Sequence, residues 1–144
     1  MNVNAGSLTV PIDIPWDDVA DRRIDAPLTV DSGNISITVP GTPDRVIVRL
    51  NLLISIPDTV NRQRPAQIIR IVRSDGMVIS AAATGDIRDS ADHEQASYNI
   101  SATDYAPITG ASYKVTSLRE STTAGLVEMN IESSQFEVEA NFPV

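Results

Sequence analysis

Arg45-Val46-Ile47-Val48-Arg49-Leu50-Asn51-Leu52-Leu53-Ile54-Ser55-Ile56 decides the fold. Val46, Val48, Leu50, Leu52, Ile54 and Ile56 fall on one face of an extended chain; Arg45, Arg49, Asn51 and Ser55 fall on the other. A period of two belongs to a strand with one face on a core, whereas a helix needs apolar residues three and four apart. Ile47 and Leu53 interrupt the polar face, so that side is expected to be covered as well. The segment reads as a long central strand.

The same period recurs on both sides of it. Ile35, Ile37 and Val39 alternate with Ser36 and Thr38; Tyr98, Ile100 and Ala102 alternate with Asn99 and Ser101. Tyr113 and Val115 stand between Ser112, Lys114 and Thr116, and Val127, Met129 and Ile131 between Glu128, Asn130 and Glu132. A last strand is expected with Phe136, Val138, Ala140 and Phe142 inward and Glu137, Glu139 and Asn141 outward. Ser74-Asp75-Gly76 separates Gln67–Arg73 from Met77–Ala83, and Gly76 can supply the positive φ of a tight hairpin. Pro40-Gly41-Thr42-Pro43 and Thr109-Gly110 mark other reversals. Adding Leu8–Ile14 and Leu28–Val30 gives eight to ten strands, with at most one helical turn over residues 16–23. Short strands at this spacing predict an all-β chain, an antiparallel β-sandwich or jelly roll.

Residues 1–27 differ in character. Pro11, Pro15 and Pro27 surround Asp17, Asp18 and Asp21, and proline blocks ladder bonds. These residues are expected to form an extended N-terminal arm with an edge strand, and residues 28–144 the sandwich domain. Trp16, the single tryptophan, lies in the arm. It either caps the sandwich or, with Asp17 and Asp18 beside it, anchors the arm on a partner. Arg62 and Arg64, in Asn61-Arg62-Gln63-Arg64-Pro65, are expected to pair with a partner's carboxylates.

The chain carries a net charge of −8 over 144 residues. Nucleic-acid affinity comes from clustered Lys and Arg, so no nucleic-acid partner is expected. No stretch approaches the length of an apolar membrane helix, and Met1–Ser7 lacks the pattern of a secretory signal. Cysteine is absent and histidine occurs once, at His93, so neither a thiolate nucleophile nor a Cys/His zinc site is available. Gly85–Glu94 offers Asp86, Asp89, Asp92 and His93 as ligands, but the aspartates stand three apart rather than at the alternate positions of a calcium loop. A solvated loop is the ordinary outcome. No cofactor, no metal and no catalytic residue are expected.

The run Val46–Ile56, then Ile68-Ile69-Arg70-Ile71-Val72-Arg73-Ser74-Asp75-Gly76, then Ala111-Ser112-Tyr113-Lys114-Val115 and Phe136-Glu137-Val138-Glu139-Ala140, resembles small jelly-roll domains of the TNF-like type. Such domains occur in the head decoration (cement) proteins and fibre heads of tailed bacteriophages. The resemblance spans residues 30–142 and rests on strand rhythm. It implies a structural virion protein on the outer surface of a capsid: a homotrimer bound to the major capsid protein, its arm crossing between subunits. Tyr98, Tyr105 and Tyr113 would then supply the aromatic stacking of the trimer axis. The alternative it leaves open is a receptor- or glycan-binding fibre head or adhesin, with Thr84–Gln95 and Asp104–Gly110 as binding loops at one end. A metal-dependent enzyme built on Asp86, Asp89, Asp92 and His93 is the third reading.

Overall fold

A computed structural model describes residues 2–4, 12–14, 27–30, 35–57, 63–64, 67–83, 87–88, 93–119 and 128–143. Twelve strand segments lie in them: β1 (Asn2–Asn4), β2 (Ile12–Asp13), β3 (Thr29–Val30), β4 (Ser36–Thr38), β5 (Arg45–Pro57), β6 (Gln63–Arg64), β7 (Gln67–Arg73), β8 (Val78–Ala83), β9 (Ile87–Arg88), β10 (His93–Asp104), β11 (Ser112–Arg119) and β12 (Glu128–Asn141). Every pairing is antiparallel.

Two sheets form the sandwich. One has the order β1-β12-β5-β10, the other β3-β4-β11-β7-β8, with β2 also paired to β11. The principal strands pair first with last: β1 with β12, β4 with β11, β5 with β10, β7 with β8. A chain paired in that way is one long hairpin, and rolling it up deals alternate pairs to the two sheets. The result is a jelly roll. Its tip is the β7–β8 turn. Gly76 there has φ 92°, its N–H donates to Arg73 O at 2.8 Å, and Arg73 N–H donates to Met77 O at 2.8 Å.

The central strand behaves as its sequence demands. β5 lies between β12 and β10, and Val46, Val48, Leu50, Leu52 and Ile54 are buried. Against them pack Ile69 and Ile71 of β7, Tyr113 and Val115 of β11, and Val39, Ala111 and Ile14 beside those strands. Ile47 and Leu53, on the outer face, are half-buried.

Three details depart from the alternation reading. Glu128–Asn141 is one strand rather than two, because a bulge between Ile131 and Ser133 adds one residue. The extra residue switches the inward phase from Ile131 to Ser134, Phe136, Val138 and Ala140. Phe142 is not an inward strand residue: β12 ends at Asn141 and the ring is 39% exposed. β10 begins at His93, so the end of the segment read as the loop Thr84–Gln95 is strand.

Within the region expected to be the arm, β1 forms the edge beside β12, and Ile12–Ile14 joins β11. Ile14 N–H donates to Val115 O at 2.9 Å and its side chain enters the core. The helical turn expected over residues 16–23 lies outside the described residues.

Candidate functional site: a pinned turn end

The strands run between two ends. At one end lie the turns 39–44, 74–77 and 105–111, and at the other Pro57 of β5 and His93 of β10. β10 links the ends, with His93 opposite Pro57 and Asp104 opposite Val46. Twelve residues of strand span about 40 Å. His93–Gln95 and Asp104–Gly110 therefore sit at opposite ends, so the described end of Thr84–Gln95 does not share a binding surface with Asp104–Gly110, which corrects the expectation that it does.

The turn end is built on a buried charge network. The inward phase of β7 is Ile69, Ile71, Arg73; that of β10 is Tyr98, Ile100, Ala102, Asp104. Each series ends in a charged residue, and the two charges meet across the sandwich. Arg73 Nη1 donates to Asp104 Oδ2 at 2.9 Å and to Ala106 O at 2.9 Å. Its Nε and Nη2 donate to the two oxygens of Asp75, both at 2.8 Å. From β11, the Tyr113 hydroxyl donates to Asp104 Oδ2 at 2.7 Å, and Ala106 N–H donates to Oδ1 at 3.1 Å. Arg73, Asp104 and Tyr113 are 6%, 3% and 0% exposed, so solvent screens these bonds little.

The protonation states follow from the geometry. The fork onto Asp75, then the contact with Asp104, raise Arg73 above its ordinary value against the opposing effect of burial. Burial pushes Asp104 up, but the Tyr113 hydroxyl, Arg73 and the Ala106 N–H together hold it below the usual carboxylate range. Burial, then the Asp104 carboxylate, push Tyr113 up. The three groups stand as guanidinium, carboxylate and neutral phenol, each tied to another. Together they fix three strands from two sheets and the turns 74–77 and 105–111.

Further bonds stiffen the same end. Gly110 N–H donates to Gly41 O at 2.9 Å, and the hydroxyls of Thr42 and Thr109 meet at 2.7 Å. Asp44 N–H donates to Asn141 O at 2.7 Å. The Phe142 ring lies beside this junction: a Cβ placed on Gly41 would come 3.8 Å from its Cε1.

On this scaffold stand the exposed large apolar side chains of the described residues. Met77 is 49% exposed, Val78 40%, Tyr105 78%, Ile108 36% and Phe142 39%. All five belong to the turn end. Apolar and aromatic side chains gathered on a rigid polar support are the composition of an interface centre.

Of the residues singled out in the sequence, Tyr105 and the loop Asp104–Gly110 fall at this end. Trp16, Asp17, Asp18 and Arg62 are outside the described residues. Arg64 lies in β6, whose pairing with β9 sets it opposite Ile87. Asp86, Asp89 and Asp92 also lie outside the described residues, among which no three His, Asp or Glu side chains converge as metal ligands. Tyr98 and Tyr113 are buried within the single chain at 3% and 0% exposure, so they cannot stack on a trimer axis. Tyr105 alone of the three tyrosines is presented outward.

No protein-family model matches the chain, and no curated protein matches it.

Proposed function

We propose that this chain is a structural virion protein, a decoration module that binds the outer face of a phage head and stabilises it through its turn end. The exposed set Met77, Val78, Tyr105, Ile108 and Phe142 on a pinned scaffold carries this reading. Jelly rolls recur in capsid proteins and lectins, where turns and loops do the binding and the sheets act as a rigid frame. A protein that binds the closed shell and not its separated parts raises the free energy of opening the shell. The acidic balance of the chain favours solubility of crowded particles.

The experiment is co-sedimentation with expanded, genome-free tailed-phage heads stripped of accessory proteins. Saturable binding and a higher head-opening temperature are the expected results. The Tyr105→Ala and Ile108→Ser variants are expected to lose binding while staying folded. Failure to bind heads, with binding to host cells or glycans instead, would transfer the chain to the fibre-head class.

A further inference from the structure

We infer that the Asp75-Gly76 step is a modification site, at which aspartate converts to isoaspartate at a rate set by the Arg73 fork. The inference rests on the β7–β8 turn itself and stands apart from the shell reading.

The reaction needs only the chain and water. The main-chain nitrogen of Gly76 gives up its proton and attacks Cγ of Asp75, and a carboxyl oxygen leaves as water, closing a cyclic imide. Water then opens the ring at either carbonyl. Opening at the main-chain carbonyl of Asp75 leaves Gly76 joined through Cγ, so the backbone gains a methylene carbon and the freed α-carboxylate hangs beside it. Nothing is oxidised or reduced, and the mass is unchanged. Glycine at the attacking position has no Cβ to hinder ring closure. Asp75-Gly76 is the single Asp-Gly step in the 144 residues, and Asn-Gly does not occur. The step is also open to water. The Asp75 side chain is 40% exposed, and nothing lies within 4 Å of a Cβ placed on Gly76.

Arg73 opposes the step at both reacting groups. Its Nε and Nη2 donate to the two carboxylate oxygens of Asp75 at 2.8 Å, and Met77 N–H donates to Oδ1 at 3.3 Å. These bonds favour the ionised form, whereas only the protonated carboxyl can lose water. Asp75 lies at about 2 instead of 3.8, chiefly through its bonds with Arg73. Each unit of lowering is a tenfold loss of the reactive acid, so the fork removes roughly 10–100-fold of it. The attacking nitrogen is engaged as well, since Gly76 N–H donates to Arg73 O at 2.8 Å. Asp104 and Ala106 O in turn hold the guanidinium at 2.9 Å, with 7% of the Arg73 side chain exposed. Conversion takes the carboxylate from the fork and lengthens the loop that Arg73 N–H closes on Met77 O. Met77 and the exposed Val78 after it then shift with the turn.

The test is the rate of isoaspartate formation at position 75, read by peptide mapping of the full chain kept folded in neutral buffer or unfolded in urea. The native chain is compared with Asp75→Asn, in which ammonia leaves whatever the ionisation, so that its folded-to-unfolded ratio reads the stiffness of the turn alone. Native Asp75 is expected to convert at least about tenfold more slowly folded than unfolded, and by a ratio roughly tenfold or more beyond that of Asp75→Asn. Arg73→Lys keeps a cation but cannot fork, and its folded chain is expected to convert at least about threefold faster than native. A folded native chain that converts as fast as the unfolded one overturns the inference. So do equal ratios for native and Asp75→Asn, or a folded Arg73→Lys chain as slow as native. Where circular dichroism shows Arg73→Lys unfolded, the comparison with Asp75→Asn decides.

Discussion

The Tyr113 hydroxyl donates to Asp104 Oδ2 at 2.7 Å, joining β11 of one sheet to β10 of the other in the interior of the sandwich. The same oxygen accepts from Arg73, so one carboxylate holds both sheets and the two turns beside them. Tyr113→Phe keeps the ring and removes the donor. It is expected to cost about 1.5–3 kcal/mol, the range for a hydrogen bond to a charged group. Chemical denaturation measures it, and a double-mutant cycle with Asp104→Asn is expected to show coupling above about 0.5 kcal/mol.

Arg73→Ala is the severe case. It leaves Asp104 buried without its cation, and about 3–5 kcal/mol of stability is expected to be lost. Arg49 is also flanked by two carboxylates, Glu137 and Glu139, but its side chain is 42% exposed. Arg49→Ala is expected to change stability by less than about 0.5–1 kcal/mol, because exposed pairs are well screened. Parallel urea titrations of the two variants check the contrast.

Charge at the inward phase of a strand is also what the sequence displayed and alternation alone did not interpret. β5, β7 and the alternating core of β10 are legible from their period of two, and Ser74-Asp75-Gly76 from its turn chemistry. Arg73 follows Ile69 and Ile71 in phase, and Asp104 follows Ile100 and Ala102, so each falls where a core residue belongs. Two opposite charges in core phase imply each other as partners, although 31 positions separate them. β12 was hidden differently. Ile131 and Phe136 have opposite parity, which reads as two strands until the bulge supplies the missing residue. Tyr105, Ile108 and Met77 had no readable pattern, because exposure on a turn depends on how the roll closes.

Acid and alkali are expected to loosen the network by different groups. Asp75 lies at about 2 instead of 3.8, chiefly through its bonds with Arg73, and Asp104 is lowered as well. A depressed carboxylate contributes stability that is present above the ordinary value and lost as pH falls through the folded value. Tyr113 is raised above its ordinary 10.0, so its contribution is present below that pH and lost as pH rises beyond it. A melting temperature that is flat from about pH 5 to 9 and falls on both sides is expected. Asp104→Asn is expected to shallow the acid limb. Calorimetry across pH measures both.

Gly76→Ala tests the tip of the roll. Nothing lies within 4 Å of a Cβ there, so the cost is conformational alone, from a φ of 92°. A loss of about 1–2 kcal/mol is expected, with a melting temperature lower by several degrees. An unchanged melting temperature would show that the turn relaxes without cost to the β7–β8 pairing.

Tyr105→Ala is expected to separate binding from stability. The side chain is 78% exposed, so its removal leaves the core untouched and the melting temperature within about 1 °C. At a shell interface the same change is expected to weaken binding by about thirtyfold or more, as for a central aromatic anchor. Co-sedimentation with heads at graded concentrations reads the ratio.

The orientation of the bound module tests the central claim most directly. Stripped heads incubated with the protein and imaged by electron cryomicroscopy are expected to show a sandwich standing on the shell. Turns 74–77 and 105–111, with Tyr105 and Ile108, would face the capsid surface. Bound density with the opposite end against the shell, or saturated heads without added density, would contradict the account.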